Sequence, residues 1–182
     1  MRVHIVYGTV EGQTKKIAQH VADRVSAFGH EAVVINAQDT SVGDTLPAKS
    51  DAVILAACVH QTAHQEALTD YAMAHRDALS SQPSAFLSVS LACAVPDGAE
   101  EAEGYISSFI TETGWTPDVV LPVAGALRFD AYDFFKQQVV KFVVMQKGLD
   151  VAPGKDHEFT DWAALDGFVE RFLQTASAGV KP

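Results

Sequence analysis

Apolar positions along this chain fall into two rhythms. Short, near-continuous runs occur at Val3–Tyr7, Glu31–Asn36, Ala52–Ala57, Ser84–Val89 and Val119–Ala124. They are rich in β-branched and aromatic residues and too short for helices, so they predict buried strands. Between them, apolar residues return at helical spacing. Ile17, Val21 and Val25 mark a helix over Thr14–Phe28, ended by Gly29. Ala67, Tyr71 and Ala74 mark one over Ala63–Leu79. Ile106, Phe109 and Ile110 mark one over Ala99–Thr113, stopped by Gly114. Leu165, Phe168, Val169 and Phe172 mark the last, over Asp161–Ala176, with Thr160 as its cap. Residues 37–50 are polar, broken by Gly43 and Pro47, and predict a loop with one helical turn. Strands alternating with helices demand a mostly parallel sheet covered on both faces. Pro122 suits an edge strand, which places Val119–Ala124 last in that sheet.

Residues 128–158 stand outside the alternation. Within them, Tyr132–Lys147 predicts an extra helix with Phe135, Val139, Phe142 and Val143 on one stripe. Phe134 and Met145 fall off that stripe, so the apolar surface is wider than one contact requires. It packs on the body, or it meets a greasy substrate, a membrane or a second copy of the chain.

At 182 residues, 48 % hydrophobic and 20 % charged, the chain predicts one globular domain over 1–182, with the inserted arm at about 128–158. A net charge of −10 excludes nucleic acid as a partner, because phosphate binding needs a basic face. It fits simple solubility and equally a basic partner. No apolar run is long enough to span a bilayer, and the chain opens on a strand rather than a signal peptide. Cys58 and Cys93 have no metal or CxxC spacing, and a cytoplasmic protein with reduced thiols follows. Small, buried apolar roles are expected for both, as are core positions for Trp115 and Trp162.

The first strand empties through Gly8-Thr9-Val10-Glu11-Gly12-Gln13-Thr14 straight into a helix. Unpaired N–H groups and the positive end of the helix dipole make such a turn an anion site. Gly12 lets the backbone approach, and the hydroxyls of Thr9 and Thr14 can donate. Neither a Walker lysine nor G-x-G-x-x-G is present, which argues against an NTPase or a dinucleotide fold. The spacing of Thr9, Gly12 and Thr14 resembles the phosphate loop of flavodoxins, which wraps the phosphate of FMN without a basic side chain. Glu11 is awkward there, since a carboxylate must point away or weaken a bound dianion. In a doubly wound sheet of order 2-1-3-4-5, the ligand crevice lies beyond the carboxyl ends of strands one and three. Two further loops reach it. One is Cys58-Val59-His60-Gln61, and the other is Ser90-Leu91-Ala92-Cys93. Their backbone groups are expected on the flavin's pyrimidine edge. His60 is either a donor to the ring or an exposed loop histidine. His60 and His64 share an i, i+4 spacing but lack a third ligand, so no metal site is expected.

Five stretches carry a wider resemblance: Glu11-Gly12-Gln13-Thr14; Pro83-Ser84-Ala85-Phe86 with Ser88-Val89; Trp115 with Pro117-Asp118; Ala124-Gly125-Ala126-Leu127-Arg128; and Thr160-Asp161-Trp162. Over nearly its full length the chain resembles the menaquinone-dependent protoporphyrinogen IX dehydrogenases, a branch of the flavodoxin superfamily. The resemblance implies FMN as cofactor, oxidation of protoporphyrinogen IX in haem biosynthesis, a quinone acceptor and contact with the inner face of the membrane through the arm. No catalytic side chain is named. A porphyrinogen carries propionates, and Arg128 is the cation best placed for them. In the arm, Arg128, Lys136, Lys141, Lys147 and Lys155 balance Asp130, Asp133, Asp150, Asp156 and Glu158, so anionic lipid exerts no strong pull. A carrier flavodoxin docking on a redox partner protein is the alternative, and a flavin-free scaffold of the same fold ranks last.

Overall fold

The computed structural model describes residues 1–39, 50–128 and 155–179. The apolar runs pair as parallel strands. β1 (Arg2–Gly8) lies between β2 (Glu31–Asn36) and β3 (Ala52–His60). Beyond β3 come β5 (Ser84–Ser90) and, at the edge, β6 (Val119–Ala124). The order β2-β1-β3-β5-β6 is the expected 2-1-3-4-5 once the short strand β4 (Ala63–His64) is counted. Pro122 sits on β6, where its missing N–H faces no neighbouring strand.

Side chains of β1 alternate between two cores. Val3, Ile5 and Tyr7 pack with α1 (Gln13–Ala27) and α5 (Trp162–Ser177). Val6 faces the opposite cluster, built with α2 (Glu66–Ala74) and α4 (Ala99–Thr113). In that second core Phe86 and Phe109 stack at 4.3 Å, and fully buried Trp115 meets both edge-on. Gly29 and Gly114 end α1 and α4 in the left-handed region, as a helix C-terminus favours.

Three expectations are corrected. Residues 63–79 do not form one helix. After β3 the chain turns back through Gln61 and Thr62, and β4 pairs antiparallel with β3. Only then do α2 and the short α3 (Arg76–Ser80) follow. The delayed start rotates the buried stripe from Ala67, Tyr71 and Ala74 to Leu68, Tyr71 and Ala72. Second, α5 is capped by Asp161, whose carboxylate accepts from the Ala164 N–H at 2.9 Å, and not by Thr160. Third, Trp162 only half enters the core, because its indole N–H reaches outward to Glu158. Most of the 37–50 loop and the helix expected over Tyr132–Lys147 lie outside the described residues.

Candidate functional site

A cleft of about 440 Å³ opens at the carboxyl ends of β1, β3, β5 and β6, within the range of small-ligand sites. Its first wall is the turn after β1: Thr9, Val10, Glu11, Gln13 and Thr14. Its second is Cys58, Val59, His60 and Gln61, from the end of β3. Val89, Ser90 and Leu91 close the third side, with Gly125 and Ala126 behind them.

The first wall is shaped by Gly12. Its φ of 90° turns the chain into α1, and its N–H donates to Thr9 Oγ1 at 3.0 Å. A Cβ on Gly12 would meet nothing within 4 Å, so its backbone angle, not space, calls for glycine. Gly12 therefore shapes the turn without lining the cleft. Thr9's oxygen is occupied as an acceptor, which leaves its hydrogen to donate. Thr14 is fully buried in the first turn of α1, and its hydroxyl meets no oxygen or nitrogen partner, only the weakly bonding sulfur of Cys58. A buried hydroxyl so weakly partnered is costly, and an anion at this helix N-terminus would satisfy it. Glu11 is half-buried in the same wall.

The second wall stands on the β3–β4 hairpin. Gln61 and Thr62 both have positive φ, 50° and 73°, the backbone that a tight two-residue hairpin of type I′ demands. His60 is exposed at the rim, while His64 turns into the core. There its Nε2 lies 2.9 Å from Ser88 Oγ, and its ring lies against Phe86 and Phe109. Burial pulls the His64 imidazole down to about 4. Cys58 is half-buried, and burial pushes its thiol up. On the third side, Ser90 and Leu91 line the cleft, but the chain then bends into a 3-10 turn, Ala92–Ala94. Ala92 is buried beneath it, and Cys93 is half-buried with its sulfur 3.3 Å from Ser90 Oγ. Neither lines the cleft, and both cysteines are half-buried where buried roles are expected.

Arg128 reaches the cleft's edge but is already engaged. One of its nitrogens donates to Gln13 Oε1 at 2.8 Å, and the other lies 3.3 Å from Asp156 Oδ2. Gln13 is the centre of this arrangement. Its Nε2 donates to Thr160 Oγ1 at 2.9 Å and to Glu158 Oε2 at 3.2 Å. Lys16 Nζ binds the same Glu158 oxygen at 2.6 Å, and the Trp162 indole donates to the other at 3.0 Å. Burial alone would raise the Glu158 carboxyl; the hydrogen bonds from Lys16, Trp162 and Gln13 outweigh it and hold it below the usual carboxylate range. Glu158 belongs to β8 (His157–Glu158), which pairs antiparallel with β7 (Ala126–Leu127). Sequence reasoning missed Val89, Gly125 and Ala126 as lining residues, and Lys16, Glu158 and Thr160 as supports. The one available signal was that Ala124–Arg128 and Thr160–Trp162 carried the resemblance; nothing in their composition says why.

A buried hydroxyl donor, a helix N-terminus and an apolar-edged slot suit a ligand with an anionic end and a flat body. Comparisons agree. Protoporphyrinogen IX dehydrogenase [quinone] of Escherichia coli K12 is 27 % identical over 169 residues, 92 % of each chain. The protein of that name from Leishmania major is 29 % identical over 170 residues, 92 % of this chain and 73 % of that one. Among solved structures, a short-chain flavodoxin associated with a bacterial microcompartment superposes with a TM-score of 0.59 at 16 % identity, covering 97 % of this chain and 99 % of its own. Oxidised flavodoxin 1 from Bacillus cereus gives 0.56 at 16 %, covering 96 % and 98 %. The apo form of an NADH:FMN oxidoreductase gives 0.61 at 12 %, covering 96 % and 89 %. These structural likenesses speak for the fold, and fold and domain together imply a flavin cofactor. The family model for a flavodoxin domain matches residues 4–150, most of the sheet and all three walls of the cleft included, and the chain belongs to that family.

Proposed function

We propose that this chain is an FMN-dependent oxidoreductase that oxidises protoporphyrinogen IX and passes the electrons to a quinone. The observation that carries the reading is the meeting of Gln13, Arg128, Glu158, Thr160 and Trp162 at one end of the cleft. Gln13, Arg128, Thr160 and Trp162 belong to the stretches that carry the resemblance to the quinone-dependent dehydrogenases, and Glu158, on the β7–β8 ribbon, joins them. When bound, FMN supplies acceptance and release of electrons singly or in pairs.

In this assignment Thr9, Thr14 and the first backbone amides of α1 hold the phosphate, with Gly12 setting the curve between them. Cys58, Val59, His60 and Gln61 on one side, and Ser90 and Leu91 on the other, hold the ring system. Val89, Gly125 and Ala126 floor the slot and keep water from the ring's inner edge. Ala92 and Cys93 support the third wall from behind. Among the described residues that line the cleft none is Trp, Tyr or Phe, and the loops at 57–64 and 90–96 contain none. Electron-rich faces would disfavour a doubly reduced, anionic ring and make the flavin strongly reducing. Their absence favours a milder potential, matched to a quinone rather than to a low-potential carrier.

Arg128 lies beside the ribbon that bounds residues 129–154. Its partial exposure leaves one edge for a propionate of the porphyrinogen. Among the described residues no helix is long and apolar enough to cross a membrane. The deciding experiment incubates the FMN-loaded protein anaerobically with protoporphyrinogen IX and a menaquinone analogue. Porphyrin fluorescence should grow in step with quinol. Turnover absent with every quinone tried, from a protein that does hold FMN, would return the chain to the carrier class.

A further inference from the structure

We infer that Thr160 is a positioning residue for the phosphate turn, acting through Gln13, although it lies 147 residues away in sequence. The inference rests on the flavin reading above and concerns how the phosphate end is held.

Thr160 is expected from sequence to cap α5, yet Asp161 does that work. The threonine is buried and its single hydroxyl is used twice. It accepts from Gln13 Nε2 at 2.9 Å and donates to the Ala124 carbonyl at 2.7 Å. One end of that bridge is the first residue of α1, in the cleft's first wall. The other is the last residue of β6, directly before Gly125 and Ala126, which line the opposite wall. Neighbouring backbone bonds continue the brace: Phe159 N–H donates to the Gly125 carbonyl at 3.0 Å, and Gly125 N–H to the Ser90 carbonyl at 3.1 Å. Residues 158–160 thus tie together the turn at 9–14, the end of β6 and the end of β5.

Gln13 has no freedom to reorient within this brace. Arg128 can only donate and the Glu158 carboxylate can only accept, so the amide oxygen must face Arg128 and the nitrogen must face Glu158 and Thr160. With Gln13 buried at 6 % exposure, its backbone is fixed by its side chain. Its backbone and that of Thr14 begin α1, where amide hydrogens must converge on an anion. A loosened Gln13 would splay those donors. The cost falls mainly on the phosphate end, because Thr160 bonds Gln13 of the phosphate turn directly, whereas it reaches the ring side only through the Ala124 carbonyl and the backbone bonds beyond it.

The test compares FMN with riboflavin, which differ only in the phosphate. Thr160→Val keeps the shape and removes the hydroxyl. It should weaken FMN binding about tenfold while riboflavin affinity changes by less than about twofold. Thr160→Ser restores both hydrogen bonds and should recover FMN affinity. In a Gln13→Ala background, Thr160→Val should add no further loss of FMN preference. Equal loss of both ligands would mean a general disturbance of the cleft and overturn the inference, as would no change in either. Should Thr160→Val fail to fold by circular dichroism, Thr160→Ser and Thr160→Cys replace it; FMN preference that does not follow hydroxyl retention refutes the role. A wild-type chain that binds neither ligand would instead bring down the flavin reading, and this inference with it.

Discussion

Thr14 carries a prediction with two opposite signs. Its buried hydroxyl meets only the weakly bonding Cys58 sulfur within the protein, so it burdens the ligand-free fold and rewards a stronger acceptor placed against it. Thr14→Val should raise the stability of the flavin-free protein by about 1 kcal/mol and weaken FMN about tenfold. Urea denaturation reads the first and quenching of flavin fluorescence the second; a valine variant that binds FMN normally removes Thr14 from the phosphate site. His64 makes an acid-side prediction. Its folded pKa, about 4, lies below the unfolded value of 6.5. The unfolded chain therefore binds the extra proton first as pH falls. The neutral buried ring contributes in full above pH 6.5, and that contribution drains away between 6.5 and about 4, by roughly 3 kcal/mol in all. Denaturation midpoints across that window should fall as pH falls, and His64→Phe, which keeps an aromatic ring against Phe86 and Phe109, should make the slope shallower, leaving the smaller share of His4 and His75, whose imidazoles burial also pulls down. A wild-type curve that is already flat would mean that His64 is solvated or charged.

At the scale of elements, the β3–β4 hairpin separates what the sequence could say from what it could not. Strands were legible because β1, β3 and β5 are buried almost end to end, and such strands write continuous apolar runs. The hairpin was not, because Gln61-Thr62 lacks the Asn-Gly signature of a tight turn. Residues from Ala63 onward also have the composition of a helix start. Pairing of Val59 with His64 and of His60 with Ala63 overrides that local preference. The same lesson holds at α5, where Thr160 and Asp161 are both good caps by type. Only the demand of Gln13 and Ala124 on the threonine hydroxyl decides between them. A β-branched residue at a φ of 73° is strained. Thr62→Gly should relieve more than the glycine's added unfolded-state entropy costs, for a net gain of about 0.5–1 kcal/mol. A thermal melt of the flavin-free variant should then shift upward by about 1–4 °C. A downward shift would show that the turn is comfortable as it stands and that Thr62 is held there by contacts of its own.

Taken as a whole molecule, the chain opens its candidate cleft where the topology of a doubly wound sheet puts a ligand, and that much follows from the order of strands and helices alone. The support behind the cleft does not follow, because Gln13 meets Arg128, Glu158 and Thr160 across 115 to 147 residues. No local pattern encodes a contact of that range; only shared stretches hinted that these residues belong together. This closure joins the first helix to the segment just before the last one, so an anion at the turn should be felt at residues 157–160 without touching them. The reporter is the Phe159 amide, which donates to the Gly125 carbonyl and exchanges with solvent only when that bond opens. FMN at about 100 times its dissociation constant stabilises the folded state by about 2.7 kcal/mol. Amides that exchange only through global unfolding should slow by that full factor, about a hundredfold. Riboflavin at the same multiple of its own dissociation constant must slow those global amides equally, since linkage depends only on saturation. An amide that exchanges by local opening instead responds to which ligand is bound rather than only to how saturated the site is, and the test treats Phe159 as such an amide. If the brace transmits the phosphate's grip, FMN should protect Phe159 more than riboflavin does at matched saturation, while the amides of the β3–β4 hairpin, which the proposed binding mode sets against the ring, respond alike to both. Equal protection of Phe159 by the two ligands would confine the phosphate's influence to the turn that holds it.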